Sequence, residues 1–555
     1  MDGMNSLPDN TKQADKTDKI DTPAVEEHFY KALAREFIAE SFRADSLRPL
    51  RKEIRRGMKA LRAAYERAVR RGKTTFDEWL GDNYHLLMRE GTALLADLRT
   101  AEAQPAIERR PAMFRLFRRL LEERDVPDAG ELELLVEAAG KARPLTVYEL
   151  AQLPLCLKAA LLLTAADACR ETDEGTAERL IGRAVTGLRE TAELDFADLT
   201  EKHSIVERIL SDDPAGVYPH MDEKSREDYR RRVAAAAARE GVSEAAVAAD
   251  AVEKAGVSQG KTLRERHVGT YLRPLEKTRT RGRWGLVCMA LLPLLAAVAL
   301  AVYAGNPWFI PLLYLPLWEL LRPLAEHLFL KGVPPRRLPR LEFDGVVPEE
   351  GRTVVTVSTL LPPADKAAAT ALKLARLYNT NGRGAVQICL LADLRQAAYP
   401  EMPQDDTDIA AMRREIGRLN RLTENAFVLA VRPREYSPTM GVYTGRERKR
   451  GALEALARYI RDGDDRFLEL AGDRDKLRRA KFLLALDSDT GMLLDTAAQL
   501  VGTALHPLNR PALAEVRTRR GMRKRVVRGY GVLTPRMGLE LESAARTPFA
   551  RTMAG

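Results

Sequence analysis

Four short apolar runs punctuate the C-terminal half of the chain, each bounded by polar residues. They are Val354-Val-Thr-Val-Ser-Thr-Leu-Leu361, Val386-Gln-Ile-Cys-Leu-Leu-Ala-Asp393, Phe427-Val-Leu-Ala-Val431 and Lys481-Phe-Leu-Leu-Ala-Leu486. Their length and β-branched or leucine-rich content predict strands. Helical stretches over 364–378, about 407–422 and 454–460 fall between them. Alternating strand and helix predicts a mainly parallel α/β sheet. The last run, uncharged beyond Lys481, reads as a strand buried on both faces.

Upstream, over 25–275, the texture is helical. Apolar positions recur at three and four, as in Phe114, Leu116, Phe117, Leu120 and Leu121. Alanine, leucine, glutamate and arginine dominate, and all favour helix. Ser243-Glu-Ala-Ala-Val looks like a capped helix start. No clean fixed-period repeat supports a solenoid. The expectation is an all-α cytoplasmic region that braces or regulates. Residues 1–24 are polar and lack an apolar core. They predict a disordered segment rather than a signal peptide.

Between these halves Trp284–Ala304 carries no charged residue. About 20 apolar residues span a hydrocarbon core. Arg279, Arg281 and Arg283 precede the run, and Trp284 and Tyr303 are placed like interface anchors. A buried core helix is the alternative. A second apolar stretch, Pro307–Leu321, is broken by Pro311 and Pro316, ends near Glu319 and Arg322, and reads as a short second span or a segment lying at the interface. Lys331, Arg336, Arg337 and Arg340 follow. Basic residues on both sides predict a transmembrane hairpin over 284–330, with Gly305-Asn306 as its outer turn and both flanks in the cytoplasm.

Composition narrows the function classes. A chain of 555 residues exceeds one hydrophobic core. Its net charge of +10 is concentrated around the apolar segment and in Arg517–Arg528. No recognition motif or aromatic-interleaved basic stripe points to nucleic acid. Cys156, Cys169, Cys288 and Cys389 form no Cys-x-x-Cys pair and have no histidines at zinc spacing. Neither a disulfide framework nor a zinc site is expected, and a reducing compartment fits.

Candidate chemistry gathers at the predicted strand ends. Asp487 and Asp489 end the fourth strand, one residue apart. Open α/β sheets bind ligands outside the carboxyl ends of their strands. A hard divalent ion such as Mg²⁺ or Mn²⁺ takes carboxylate and phosphate oxygens, so these two aspartates are candidate metal ligands. A solvated turn is the alternative. Asp393 ends the second strand on the same rim. Gly445-Arg-Glu-Arg-Lys-Arg-Gly451 is a dense cationic loop that suits a diphosphate, a solvated turn or an anionic-lipid contact. His203, His220 and His267 are isolated and read as surface or core histidines.

Ordered short blocks then resemble a known family, the cyclic β-1,2-glucan synthases, in the N-terminal half that carries the glycosyltransferase. They are Leu145-Thr-Val-Tyr-Glu-Leu-Ala-Gln-Leu-Pro154, Ser204-Ile-Val-Glu-Arg-Ile-Leu-Ser-Asp-Asp-Pro-Ala-Gly-Val-Tyr218, His267-Val-Gly-Thr-Tyr271, Glu447-Arg-Lys-Arg-Gly451, Leu486-Asp-Ser-Asp-Thr490, His506-Pro-Leu-Asn-Arg-Pro511 and Gly529-Tyr-Gly-Val-Leu-Thr-Pro-Arg536. The likeness runs from about residue 25 onward. Ser358 and Arg446 stand where that family often has proline and an aromatic residue.

The resemblance implies an all-α N-terminal region, a transmembrane helical hairpin and a GT-A-like α/β glycosyltransferase domain over 340–555, incomplete at its C-terminus. It implies glucose transfer from UDP-glucose, with inversion, to a growing β-1,2-glucan acceptor, using a divalent metal at Asp487 and Asp489. Asp393, Arg448, Lys449 and His506 would line the donor site. The general base is unassigned and expected beyond Gly555, with a separate chain as one possible source of the remaining synthase. The bacterial inner membrane, with soluble parts facing the cytoplasm, is the implied location and the lipid bilayer a partner. A membrane transferase for another polysaccharide, or a non-enzymatic truncated scaffold, are the competing readings.

Overall fold

The computed structural model describes residues 22–39, 41, 43–71, 74–257, 262–272, 278–330, 337–518 and 521–553. The predicted disorder of 1–24 therefore falls almost wholly outside the described residues, as do Lys331 and Arg336 of the basic flank. The chain divides into two units. One comprises 1–212, 227–254 and 272–275; the other comprises 213–226, 255–271 and 276–555.

The first unit is mainly helical and is built around Leu153–Ala168. That helix is apolar on nearly every side, and Leu157, Leu161, Ala165 and Ala166 are fully buried. A helix without a polar face belongs in a core. Arg48–Arg71, Thr75–Thr100, Ala112–Glu123 and Glu174–Glu190 pack on it. Their ends follow local chemistry. Asp128 with Glu131, and Thr146 with Glu149, form capping boxes that occupy otherwise orphaned amides. Glu149 is fully buried and paired with Arg143 at 2.6 Å.

The expectation of an all-α region is corrected here. Strands β1 (Ala44–Asp45), β2 (Gln104–Ile107) and β3 (Arg110–Pro111) form a small antiparallel sheet. Pro105 and Pro111 disfavour helix at this point. Glu108 and Arg109 both take positive φ, 48° and 64°, as a two-residue hairpin turn requires.

The second unit holds the larger sheet. Its strands are β4 (Thr353–Leu360), β5 (Val386–Asp393) and β6 (Phe427–Arg432), then β7 (Glu435–Ser437) and β8 (Val442–Thr444) as a separate hairpin, then β9 (Glu469–Ala471) and β10 (Phe482–Asp487). The sheet order is β10-β4-β5-β6-β9. All neighbours are parallel except β6 and β9. Alternation along β5 sends Ile388, Leu390 and Ala392 to one core and Cys389 and Leu391 to the other. Residues of Ala367–Asn381, Asp405–Asn420 and Thr496–Leu505 fill the first core, and Arg448–Asp462 covers the second. The result is a helix–sheet–helix sandwich.

Three expectations are corrected in this unit. The run ending at Asp487 is not buried on both faces: β10 is an edge strand, and Leu483, Ala485 and Asp487 are exposed. The apolar segments do form two helices, Thr278–Tyr303 and Phe309–Leu330, which pack against each other. Among the described residues, however, no helix is long and apolar enough to cross a membrane. Arginines occupy the start of the first, and Pro293 interrupts it. The second contains Pro316 and Pro323, and Arg322 pairs with Glu319 at 3.4 Å and Glu326 at 3.8 Å. The transmembrane hairpin is therefore not supported, nor is the bilayer contact expected through it. The architecture is mixed α/β with several sheets, and the finer GT-A assignment is not supported by it. A last pair, β11 (Ala512–Thr518) and β12 (Gly521–Arg528), forms an antiparallel ribbon.

Candidate functional site

The carboxyl ends of β4 and β5, the segment after β8 and the first turn of Arg448–Asp462 enclose a cavity of ≈ 280 Å³. Ser358, Asp393, Gln396, Gly445, Arg448 and Lys449 are among its lining. This is the rim where open α/β sheets bind ligands. Two of the parallel strands supply its floor: Ser358, Thr359 and Leu360 at the end of β4, and Leu391 and Asp393 at the end of β5.

Asp393 closes β5 and lies opposite Arg432 in the parallel register. The guanidinium donates Nε to Oδ1 at 2.7 Å and Nη2 to Oδ2 at 2.8 Å. The same group donates to the carbonyls of Arg446 at 3.2 Å and Arg448 at 2.9 Å. Arg432 therefore joins the strand end to the cationic loop. One residue pair on, Arg434 grips Asp405 with two bonds of 2.5 and 2.9 Å and also donates to Pro400 O. That hydrogen-bonded charge holds the Asp405 carboxyl below its usual range.

The loop fits only because of its glycines. A Cβ on Gly445 would stand 2.6 Å from Asp393 Oδ2, and one on Gly451 would stand 2.1 Å from Arg446 O. Between them Glu447 and Arg448 take positive φ, 51° and 45°. The helix that follows has no side-chain cap and no acidic residue in its first turn; Arg448, Lys449 and Arg450 stand there instead. Cations at a helix N-terminus oppose the macrodipole. An anion at this end would satisfy both the free amides and the side-chain charges. Ser358 adds a buried hydroxyl oxygen with no hydrogen-bond partner.

Asp487 lies two strands from Asp393, with β4 between: Asp487 pairs in register with Ser358, and Asp393 with Leu360. Lys449 forms an ion pair with Asp487, which links the cavity wall to β10. Asp487 and Asp489 are both exposed. Among the described residues no group of three or more metal-ligating side chains forms. Two carboxylates suffice where a Mg²⁺-like ion keeps waters and takes substrate phosphates, so this donor set fits such an ion only together with a phosphorylated ligand.

The structure thus brings Asp393, Arg448 and Lys449 together and ties Asp487 to them. His506 is placed elsewhere, fully buried with its ring 5.1 Å from that of His267. His267 Nδ1 meets Asp213 Oδ2 at 2.7 Å, and Asp213 also accepts the amides of Val217, Tyr218 and Val268. Burial acts to raise the Asp213 carboxyl, but the His267 contact and these amides outweigh it and hold it low. Arg432 and the Asp213–His267 pair escaped the sequence reading. An arginine directly after an apolar strand, beside a strand ending on aspartate, was the available signal for the first.

No family model matches the chain. It is 30% identical over 392 residues to a curated protein, the Cyclic beta-(1,2)-glucan synthase NdvB of Rhizobium meliloti (strain 1021). The likeness covers 64% of this chain and 14% of that protein's own length. Over this part of its length, the chain is related to the cyclic β-(1,2)-glucan synthases.

Proposed function

We propose that the α/β unit is the donor-binding part of a glycosyltransferase that moves glucose from UDP-glucose onto a growing β-1,2-glucan. The observation that carries this reading is the cationic first turn of Arg448–Asp462, uncapped and set against its own helix dipole at the rim of the sheet. The partial relation to a glucan synthase supports the sugar chemistry.

In this reading Arg448 and Lys449 neutralise the diphosphate, and Ser358 Oγ gains a hydrogen-bond partner from the donor. Arg432 orients the loop through the carbonyls of Arg446 and Arg448. Asp487 and Asp489 would hold a divalent ion, which would offset charge on the departing diphosphate. Lys449 would exchange its contact with Asp487 for one with phosphate, releasing a carboxylate oxygen as the donor arrives. Transfer with inversion requires an acceptor hydroxyl to attack the anomeric carbon opposite the departing UDP, while a base takes the hydroxyl proton. No residue of this chain is assigned to that last role.

UDP binding to wild type and to Arg448→Ala/Lys449→Ala tests the reading. The expected result is at least tenfold weaker binding in the folded variant. Equal affinity would remove the cationic turn from the donor site.

A further inference from the structure

Asp393 ends β5 at the cavity rim, but its carboxylate is already engaged. It is 7% exposed, and both oxygens accept from Arg432. Three residues on, Gln396 lines the same cavity and is exposed. Among the described residues its carboxamide has no hydrogen-bond partner.

Gln396 stands on a segment held from both sides. Arg434 donates Nε to the carbonyl of Arg395 and Nη1 to that of Pro400 at 3.1 Å. Ala397 and Tyr443 exchange backbone hydrogen bonds of 3.0 and 2.9 Å. The positions before and after Gln396 are therefore fixed, and a side chain on a fixed backbone loses less freedom when it binds. Its carboxamide offers donor and acceptor in one plane. Among the described residues that line this cavity, no other carries a carboxamide. Leu360, 58% exposed at the end of β4, gives the same cavity an apolar surface.

Distance decides which part of a donor these groups meet. The Lys449–Asp487 contact places the cationic turn beside the end of β10, the side of the diphosphate. In the sheet β4 separates β10 from β5. The ends of β10 and β5 thus lie two strand spacings apart, about 10 Å. That is the reach of a nucleoside joined to its diphosphate. A lysine or arginine only donates and a carboxylate only accepts, whereas an amide matches a base edge that shows a carbonyl beside an N–H. We propose that Gln396 is the base-reading residue of this site: Nε2 donates to O4 of a uracil, Oε1 accepts from its N3–H, and the ring lies against Leu360. This role rests on the donor reading above and gives that site its selectivity for a nucleotide over a bare diphosphate.

The test is calorimetric titration of the full chain with UDP and, separately, with inorganic pyrophosphate, both in the presence of Mn²⁺. Pyrophosphate carries the charge without the base. Wild type should prefer UDP. Gln396→Ala should bind UDP about tenfold more weakly, as the loss of two hydrogen bonds implies, and pyrophosphate as well as wild type does. Arg448→Ala/Lys449→Ala should lose both ligands. Gln396 is exposed, so the melting temperature of its alanine variant should match that of wild type. Unaltered UDP binding in Gln396→Ala, an equal loss of UDP and pyrophosphate, or no preference for UDP in wild type would each overturn the role of Gln396 and leave the donor site standing. Binding of neither ligand by the folded wild type would overturn both.

Discussion

Arg432 and Asp393 face each other across two parallel strands and meet through two hydrogen bonds of 2.7 and 2.8 Å. Both are largely buried. The remaining donor capacity of Arg432 goes to two carbonyls of the cationic loop. The pair therefore couples sheet integrity to the placement of Arg448 and Lys449.

Removing one partner should reveal that coupling. Arg432→Ala leaves a buried carboxylate without its counter-charge, which typically costs about 3–5 kcal/mol. Urea unfolding should show a loss of that order, and Arg432→Lys should recover only part of it, because a lysine cannot reproduce the planar fork. A loss below about 1 kcal/mol, the range of exposed pairs, would mean that the pair is solvated.

Gly445→Ala tests the close approach of loop and strand end. The added methyl would sit 2.6 Å from Asp393 Oδ2 and 3.1 Å from Arg432 Nη2. Overpacking of this kind costs about 1–3 kcal/mol. The same substitution at Gly417, where nothing lies within 4 Å, should be neutral or stabilising, since alanine favours helix. Equal effects at the two positions would contradict the described packing.

The helical unit should carry its own pH signature. Burial raises the Glu244 carboxyl to about 7, with the Val147 amide opposing and the Glu149 charge reinforcing it. A carboxyl raised in the folded state binds its proton more tightly there than in the unfolded chain. Its contribution to stability is full below about 4.5 and is lost as pH rises through about 7. Stability should therefore fall with pH across that window. Glu244→Gln, which still accepts from Val147, should flatten the slope and raise stability at neutral pH. An unchanged slope in thermal melts would remove Glu244 as its source.

Cysteine reactivity offers a simple readout of burial. Cys156 and Cys389 are fully buried, and desolvation pushes both thiols up to about 12. Iodoacetamide at mildly alkaline pH should leave both unmodified in the native protein and label both in denaturant. Rapid native labelling of Cys389 would contradict the central position of β5.

The sequence disclosed the sheet better than the site. Runs at 354, 386, 427 and 481 are long and apolar enough to announce β4, β5, β6 and β10. The strand β9, of three residues, is too short to carry a period. The edge position of β10 depends on which strands it neighbours, and composition does not encode neighbours. The run 284–304 reads as a span because it is uncharged over a spanning length and basic residues flank it. That Arg279, Arg281 and Arg283 belong to the same helix, and that Arg322 and two prolines lie inside the next, depends on helix bounds that composition does not encode. At the site, carboxylates and cations stood out as residue types. Their partners, Arg432 for Asp393 and Lys449 for Asp487, emerged only with the register. His506 looked available for a ligand and instead lies buried against His267.

The central proposal is that the rim of this sheet would hold a nucleotide-sugar donor together with a divalent metal. It is tested most directly by calorimetric titration of the protein with UDP-glucose, with and without Mn²⁺, beside the Asp487→Ala/Asp489→Ala variant. The account predicts binding that requires the metal and disappears in the double variant. Failure of the folded wild type to bind, or equal metal-dependent binding by the variant, would contradict it.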